Sequence, residues 1–259
     1  MNNKPILSIE KLSCGYGNKT VIRDVSLDIY AGEFCALLGL NGSGKTTLLK
    51  AVCGLIDIMS GSCFSDGIDI SSLNEKQRAQ YISFIPQRFS KLIGVTVFEA
   101  VLMGFNPGLG VFDIPSASDK LLAEEVLNKM QILQLADEDF SKLSEGQKQL
   151  VILSRTLVQN APIMLMDEPD SALDFPGKHG ILSKIKNLIH NEKKAGLITL
   201  HDPNLALAHC ERLILLDEGR IITEINLNTA NKDEIHEKLS SIYKGIKLDV
   251  IDGRYIALL

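Results

Sequence analysis

Across 259 residues, 27 Lys and Arg face 32 Asp and Glu, for a net charge of −5, with 45% apolar and 23% charged residues. That balance suits a globular chain able to bury a substantial core, and the lack of basic blocks argues against nucleic acid as a partner, because phosphate-backbone binding needs clustered Lys and Arg. No apolar run approaches the ~20 residues needed to cross a bilayer, and Met1-Asn2-Asn3-Lys4-Pro5 leads into a strand-like segment without a signal-peptide apolar stretch. The expectation is a chain that stays in the cytoplasm and borrows any membrane role from a partner.

Leu7 to Leu12 and Val21 to Ile29 alternate apolar and polar residues, which predicts antiparallel strands with one buried face. Gly15-Tyr16-Gly17 reads as a turn between them, holding an aromatic ring clear of the backbone. Phe34 to Leu38 is a continuous apolar run, as expected of a buried strand, and Thr47 to Val52 reads as the start of a helix. Further strands are predicted over Gly61 to Ile70 and over Tyr81 to Pro86, the latter ending at Gln87. From Arg88 to about Asn160 the pattern turns helical. Within Asp119 to Leu133, residues Leu122, Ala123, Val126, Leu127 and Met130 share one helical stripe. Ser144 followed by Gln147 has the form of a capping box that opens a helix through Val158.

Ile163 to Met166 and Leu197 to Leu200 read as strands covered on both faces. Between them Pro176 opens a long helix with a core stripe of Ile181, Leu182, Ile185, Leu188 and Ile189. A helix over Asn204 to His209 follows, then strands at Arg212 to Leu216 and Gly219 to Ile225. The tail carries an amphipathic helix through Ile235, Leu239 and Ile242, and a hairpin around Asp252-Gly253. Cys14, Cys35, Cys53, Cys63 and Cys210 form no C-x-x-C pair and sit mostly among apolar neighbours, so reduced core thiols are expected. The five histidines have no metal-ligand spacing.

The chemistry is concentrated at strand ends. Gly39-Leu40-Asn41-Gly42-Ser43-Gly44-Lys45-Thr46, with Thr47 after it, is a full G-x-x-x-x-G-K-[ST] pattern placed between a strand and a helix. Phosphate oxygens need several N–H donors converging on one concave spot, and small residues let the backbone come close. The new helix adds its positive end, Lys45 a mobile charge, and the Thr46 hydroxyl a ligand for Mg²⁺. Asp167 and Glu168 follow a second buried strand, where Asp167 can hold Mg²⁺ and Glu168 can polarise an attacking water. Gln87 ends a third strand and offers an amide to Mg²⁺ or the water. His201 ends a fourth and can hydrogen-bond the γ-phosphate.

Together these residues resemble the ATPase subunit of an ATP-binding cassette (ABC) transporter over about residues 5–225. The resemblance implies an α/β fold: a P-loop NTPase core (5–87 and 161–225) with a mixed, mainly parallel sheet and an antiparallel β subdomain, plus an inserted helical subdomain (88–160). Residues 226–259 are left as a C-terminal helix and hairpin extension. It implies that Tyr16 stacks on adenine, that Leu143-Ser144-Glu145-Gly146-Gln147 is the signature, that Ser171 to Asp174 is a dimer-contact loop, and that His201 is the switch histidine. The implied cofactors are ATP and Mg²⁺. The implied partners are integral-membrane permease subunits, a second copy of the chain, and indirectly a substrate-binding protein. In this family two copies face each other, each ATP lying between one P-loop and the other copy's Ser144 to Gln147, at the cytoplasmic face of the membrane.

The chain departs from the family pattern at Glu145, where glycine is usual, and at Lys148 and Leu150, where arginine is frequent. A carboxylate near a triphosphate costs energy unless its side chain points away. Val95 to Pro107 and His201 to Ala206 resemble the ATPases of iron–siderophore, haem and cobalamin importers, in which the surface after Gln87 receives a short permease helix. The rival reading is a soluble cassette of iron–sulfur assembly. DNA maintenance is disfavoured by the absence of a long heptad insertion, and a non-hydrolysing scaffold by the joint presence of Lys45, Asp167, Glu168 and His201.

Overall fold

A computed structural model describes residues 4–87, 92–110 and 112–258. The start of the helical stretch expected at Arg88, the surface immediately after Gln87 and Leu259 lie outside the described residues.

The chain opens with β1 (Leu7–Tyr16) and β2 (Lys19–Ile29), followed by β3 (Phe34–Leu38), α1 (Lys45–Val52), β4 (Ile58–Ser65), β5 (Ile68–Asp69), α2 (Glu75–Arg78) and β6 (Ile82–Ile85). Next come α3 (Val97–Leu102), α4 (Ala117–Lys129) and α5 (Glu145–Gln159), joined by short 3₁₀ turns. β7 (Ile163–Asp167), α6 (Phe175–Asn191), β8 (Ala195–Thr199), α7 (Pro203–His209), β9 (Arg212–Asp217) and β10 (Arg220–Asn226) follow, and α8 (Lys232–Ser240), β11 (Lys247–Ile251) and β12 (Arg254–Leu258) end the chain. Gly15 and Tyr16 belong to the strand, contrary to the turn expected there, and the reversal falls on Gly17 and Asn18. A side chain at Gly15 would place its Cβ 1.9 Å from the Lys19 carbonyl oxygen, so the glycine serves the close pairing of the hairpin. The tail hairpin turns at Asp252-Gly253, both with positive φ, as the dipeptide suggests.

Two main sheets result. One is antiparallel, in the order β2-β1-β4-β5. The other has the order β10-β9-β3-β8-β7-β6 and is parallel apart from the β10–β9 pair. The central strands β3, β7 and β8 of this second sheet are buried on both faces, and successive residues feed opposite layers. Phe34, Ala36 and Leu38 point with Met164, Met166, Ile198 and Leu213 toward α3 to α8, while Cys35 and Leu37 point with Leu165, Leu197 and Ile214 toward α1 and the antiparallel sheet. Each such buried Leu or Ile contributes about 1.5–3 kcal/mol, so the two layers fix the strand register. All five stripe residues expected on α6 are buried. On α4 the expected Leu122 is instead 42% exposed, while Ala123, Val126, Leu127 and Met130 face inward.

α6 and α7 also meet through a histidine pair, with His179 Nδ1 and His209 Nε2 2.9 Å apart. Burial first, then the charges of His179, Lys186 and Arg254, hold the His209 imidazole down at about 4. In the unfolded chain the ring takes up its proton near pH 6.5. As pH falls from about 6.5 toward 4, the unfolded state binds a proton that the folded state refuses, and folding stability is lost; above that window the effect is absent. The melting temperature of the wild type should therefore fall further between about pH 7.5 and 5 than that of His209→Asn. Parallel falls in the two proteins would refute this assignment.

Candidate nucleotide site

The register of the parallel sheet assembles the site. β3 lies beside β8 with Leu37 opposite Thr199, β8 lies beside β7 with Thr199 opposite Asp167, and β7 lies beside β6 with Met166 opposite Ile85. The carboxyl ends of four strands therefore meet at one edge, where open α/β sheets place ligands.

At that edge the loop from Gly39 to Gly44 turns tightly. A Cβ on Gly39 would lie 2.2 Å from the Leu216 carbonyl oxygen, and Gly44 has φ +109, which favours glycine. Gly44 is also the N-cap of α1 and brings no side-chain cap, so the first N–H groups of the helix have no capping side chain. The Ser43 hydroxyl is buried with no hydrogen-bond partner among the described residues. Lys45 donates from Nζ to the carbonyls of Gly39 (2.7 Å) and Leu40 (3.2 Å). Burial pushes the pKa of its ammonium down, and the negative charges of Glu168 and Asp167 oppose that shift. Unspent donors, an orphan hydroxyl and a buried ammonium make a cradle suited to phosphate.

The acidic side of the site is tightly linked. Thr46 Oγ1 donates to Asp167 Oδ1 at 3.0 Å, and Thr199 Oγ1 donates to the same oxygen at 2.8 Å while accepting the Glu168 N–H at 2.9 Å. A hydroxyl and a carboxylate at one spot are hard oxygen donors, so Thr46 and Asp167 fit Mg²⁺. Glu168 adopts φ +46, a left-handed conformation that costs a non-glycine residue and recurs at functional sites. Its carboxylate takes a hydrogen bond from Gln87 Nε2 at 2.5 Å on one oxygen and lies 2.6 Å from His201 Nε2 on the other. Gln87 thus engages Glu168 through its amide nitrogen. A hollow of about 170 Å³ is lined by Asn41, Gly42, Lys45, Thr46, Glu168 and His201 among others. The β1–β2 hairpin borders the same region, since Cys14 Sγ faces the Thr47 carbonyl and Val21 and Ile22 lie against Gly44. Tyr16, two residues beyond Cys14, is 51% exposed.

The signature stretch lies elsewhere. Ser144 caps α5 by accepting from Gln147 N (3.3 Å), and Gln147 Oε1 accepts from Ser144 N (2.9 Å), completing the expected capping box. Glu145 turns toward Lys148, with Oε1 and Nζ 2.7 Å apart. Asp174 caps α6 by accepting from Gly177 N at 3.0 Å. Ser144, Gly146, Gln147, Leu173 and Asp174 border a second hollow of about 590 Å³. The two hollows share no lining residue.

The sequence profile of the ABC transporter family matches residues 22–171, from β2 through the first residues after β7. The chain belongs to the ABC transporter family. It is similar to the hemin import ATP-binding protein HmuV of Shewanella denitrificans, at 33% identity over 85% of this chain and 87% of that one. A Helicobacter pylori protein named for iron chelatin transport is 31% identical over 95% of this chain and 98% of that one. Other relatives of comparable identity are named for spermidine/putrescine and for phosphonate import. A dimeric bacterial ABC transporter cassette superposes with a TM-score of 0.74 at 29% identity, covering 85% of this chain and 98% of that one. As an ABC cassette with this fold, the chain is an ATP-hydrolysing transport ATPase. Among the described residues no helix is long and apolar enough to cross a membrane.

Two side chains in contact with the candidate residues escaped the sequence reading. Thr199 is an ordinary buried strand residue until the parallel register sets it between Asp167 and Glu168. Lys148 was noted only as a missing arginine, although its i, i+3 spacing from Glu145 was the available sign of an ion pair.

Proposed function

We propose that two copies of this chain bind MgATP head to tail, each ATP lying between one copy's Gly39 to Thr47 loop and the other's Ser144 to Gln147. The observation that carries this reading is the separation of two half-equipped hollows within one chain. One has the lysine, the acids and the helix N-terminus. The other has a second helix N-terminus at Ser144, whose N–H groups can complete a cage for the terminal phosphate. Mg²⁺ held by Thr46 and Asp167 would neutralise charge between the β- and γ-phosphates. Glu168, oriented by Thr199 and held by Gln87, accepts the proton of the attacking water, and His201 faces the same carboxylate and the departing phosphate. Tyr16 stacks on the adenine, and Asp174 contacts the other copy. Glu145 is directed to Lys148, which keeps its charge from being wholly unpaired near the triphosphate. Loss of the terminal phosphate removes the charge that holds the interface shut.

In this reading the nucleotide core (5–87 and 161–225) carries the helical subdomain (88–160), and the pair sits on permease subunits at the cytoplasmic face of the membrane. It powers import of an iron chelate or a haem- or cobalamin-like cargo that a substrate-binding protein delivers. The residues Val95 to Pro107 and His201 to Ala206 support that cargo class, and the hemin and iron chelatin relatives carry names of the same class, beside others named for polyamine and phosphonate import. Ser144→Arg tests the core of the proposal. In a Glu168→Gln background with MgATP, the parent should pair in sedimentation, whereas the added bulk should abolish pairing and leave ATP binding to the P-loop intact. Pairing that survives Ser144→Arg overturns the head-to-tail arrangement.

A further inference from the structure

The tail beyond β10 packs against the segment that carries His201. α7 starts two residues after His201, with Asp202 as its cap accepting from Asn204 N at 2.8 Å. Asn204 spends both ends of its side-chain amide on one residue of the last strand. Its Nδ2 donates to the Ala257 carbonyl at 3.0 Å, and its Oδ1 accepts the Ala257 N–H at 2.7 Å. The side chain thus mimics a neighbouring strand for β12, whose two-stranded sheet would be marginal alone. Ile235, Leu239, Ile242, Leu248 and Ala257 from the tail join Leu200, Leu205 and Ala206 in one buried cluster. Tyr243, just after α8, packs against the same cluster and has a buried hydroxyl with no hydrogen-bond partner among the described residues. Tail contacts therefore reach the switch segment that follows β8.

Only Leu200 and His201 separate the end of β8 from the Asp202 cap. A displacement of α7 must move His201, which is 51% exposed and otherwise held mainly by its 2.6 Å contact with Glu168. We propose that the C-terminal segment 226–258 is a brace for the switch histidine, and that Asn204 is its positioning residue. The amide pair with Ala257 fixes the start of α7, and through it the distance from His201 to Glu168. This rests on the ATP-hydrolysing reading of the site and assigns the extension a part in it.

The test uses the full chain with Asn204→Ala and Asn204→Asp, the second of which keeps size but sets a carboxylate oxygen against the Ala257 carbonyl. For both variants kcat should fall about tenfold, since small misplacements at a reacting centre are costly, while KM for ATP stays within about twofold. In a His201→Ala background Asn204→Ala should cost nothing further, because the residue acts through His201. Hydrogen exchange over residues 200–209 without nucleotide should quicken in Asn204→Ala. An unchanged kcat, an undiminished penalty in the His201→Ala background, or unchanged exchange overturns the brace. A wild type that hydrolyses no ATP would instead sink the underlying assignment, and the exchange result alone would then decide whether the tail holds α7.

Discussion

Glu168→Gln should lower the rate of phosphate release by about 10²–10³-fold while ATP still binds and still pairs the subunits. The amide has the shape of the carboxylate, so the backbone at φ +46 and the Glu168 N–H to Thr199 bond should persist. What disappears is the proton acceptor. Gln87 at 2.5 Å and His201 at 2.6 Å hold the present carboxylate from two sides, so no nearby acid is free to take over; Asp167 is already committed to Thr46 and Thr199. Removing a negative charge beside the triphosphate should also strengthen nucleotide retention, so affinity rises or holds as turnover falls. Single-turnover hydrolysis measured beside equilibrium ATP binding separates these effects. A variant that hydrolyses at the parental rate would place the general base elsewhere and leave Glu168 as a turn residue.

Legibility in the sequence followed the range of the interactions. The loop from Gly39 to Thr46 is a local device: its glycines, lysine and following helix are consecutive, and its requirements appear as spacing. The stripe on α6 and the capping box at Ser144 are local in the same sense, and all the residues read there sit as expected. The continuous apolar run of β3 likewise predicted a buried strand, and all five of its residues are buried. Thr199 shows the limit. Nothing near it in sequence distinguishes it from a core threonine, because its partners lie 31 and 32 residues away and are supplied by strand register. Leu122 fails for the opposite reason: its place on a helical stripe says which side it faces, but not where the neighbouring helices stop covering that side. Asn204 and the tail hairpin combine both difficulties, since a helix residue and a strand residue 53 positions apart share two hydrogen bonds.

Glu145 is a more instructive case, because the sequence reading identified a cost and the structure supplies its offset. A carboxylate in the first turn of α5 is favourable for the isolated helix, whose N-terminus is positive, yet unfavourable in the proposed dimer, in which that same N-terminus receives a phosphate. The pair with Lys148 satisfies both demands by turning the side chain along the helix. The pair is half exposed and so contributes little to folding by itself.

Lys45→Met should weaken ATP binding by about 10²-fold or more, the loss of one or two charge-assisted hydrogen bonds to phosphate at roughly 1.5–3 kcal/mol each. Without nucleotide the effect on the fold should be small, because two consequences oppose each other. The carbonyls of Gly39 and Leu40 lose their donor, while the chain no longer buries a charge whose desolvation already depresses its pKa. Methionine keeps most of the buried methylene volume, so the loop should hold its shape. The discriminating measurement is the melting temperature with and without ATP. Saturating ATP raises it in the wild type by preferential binding to the folded state, and that rise should vanish in Lys45→Met although the nucleotide-free values stay close. A variant that keeps the ATP-induced shift would show that the ammonium serves mainly to pin the loop carbonyls, and that the N–H groups of α1 with the Ser43 hydroxyl suffice to hold the phosphates.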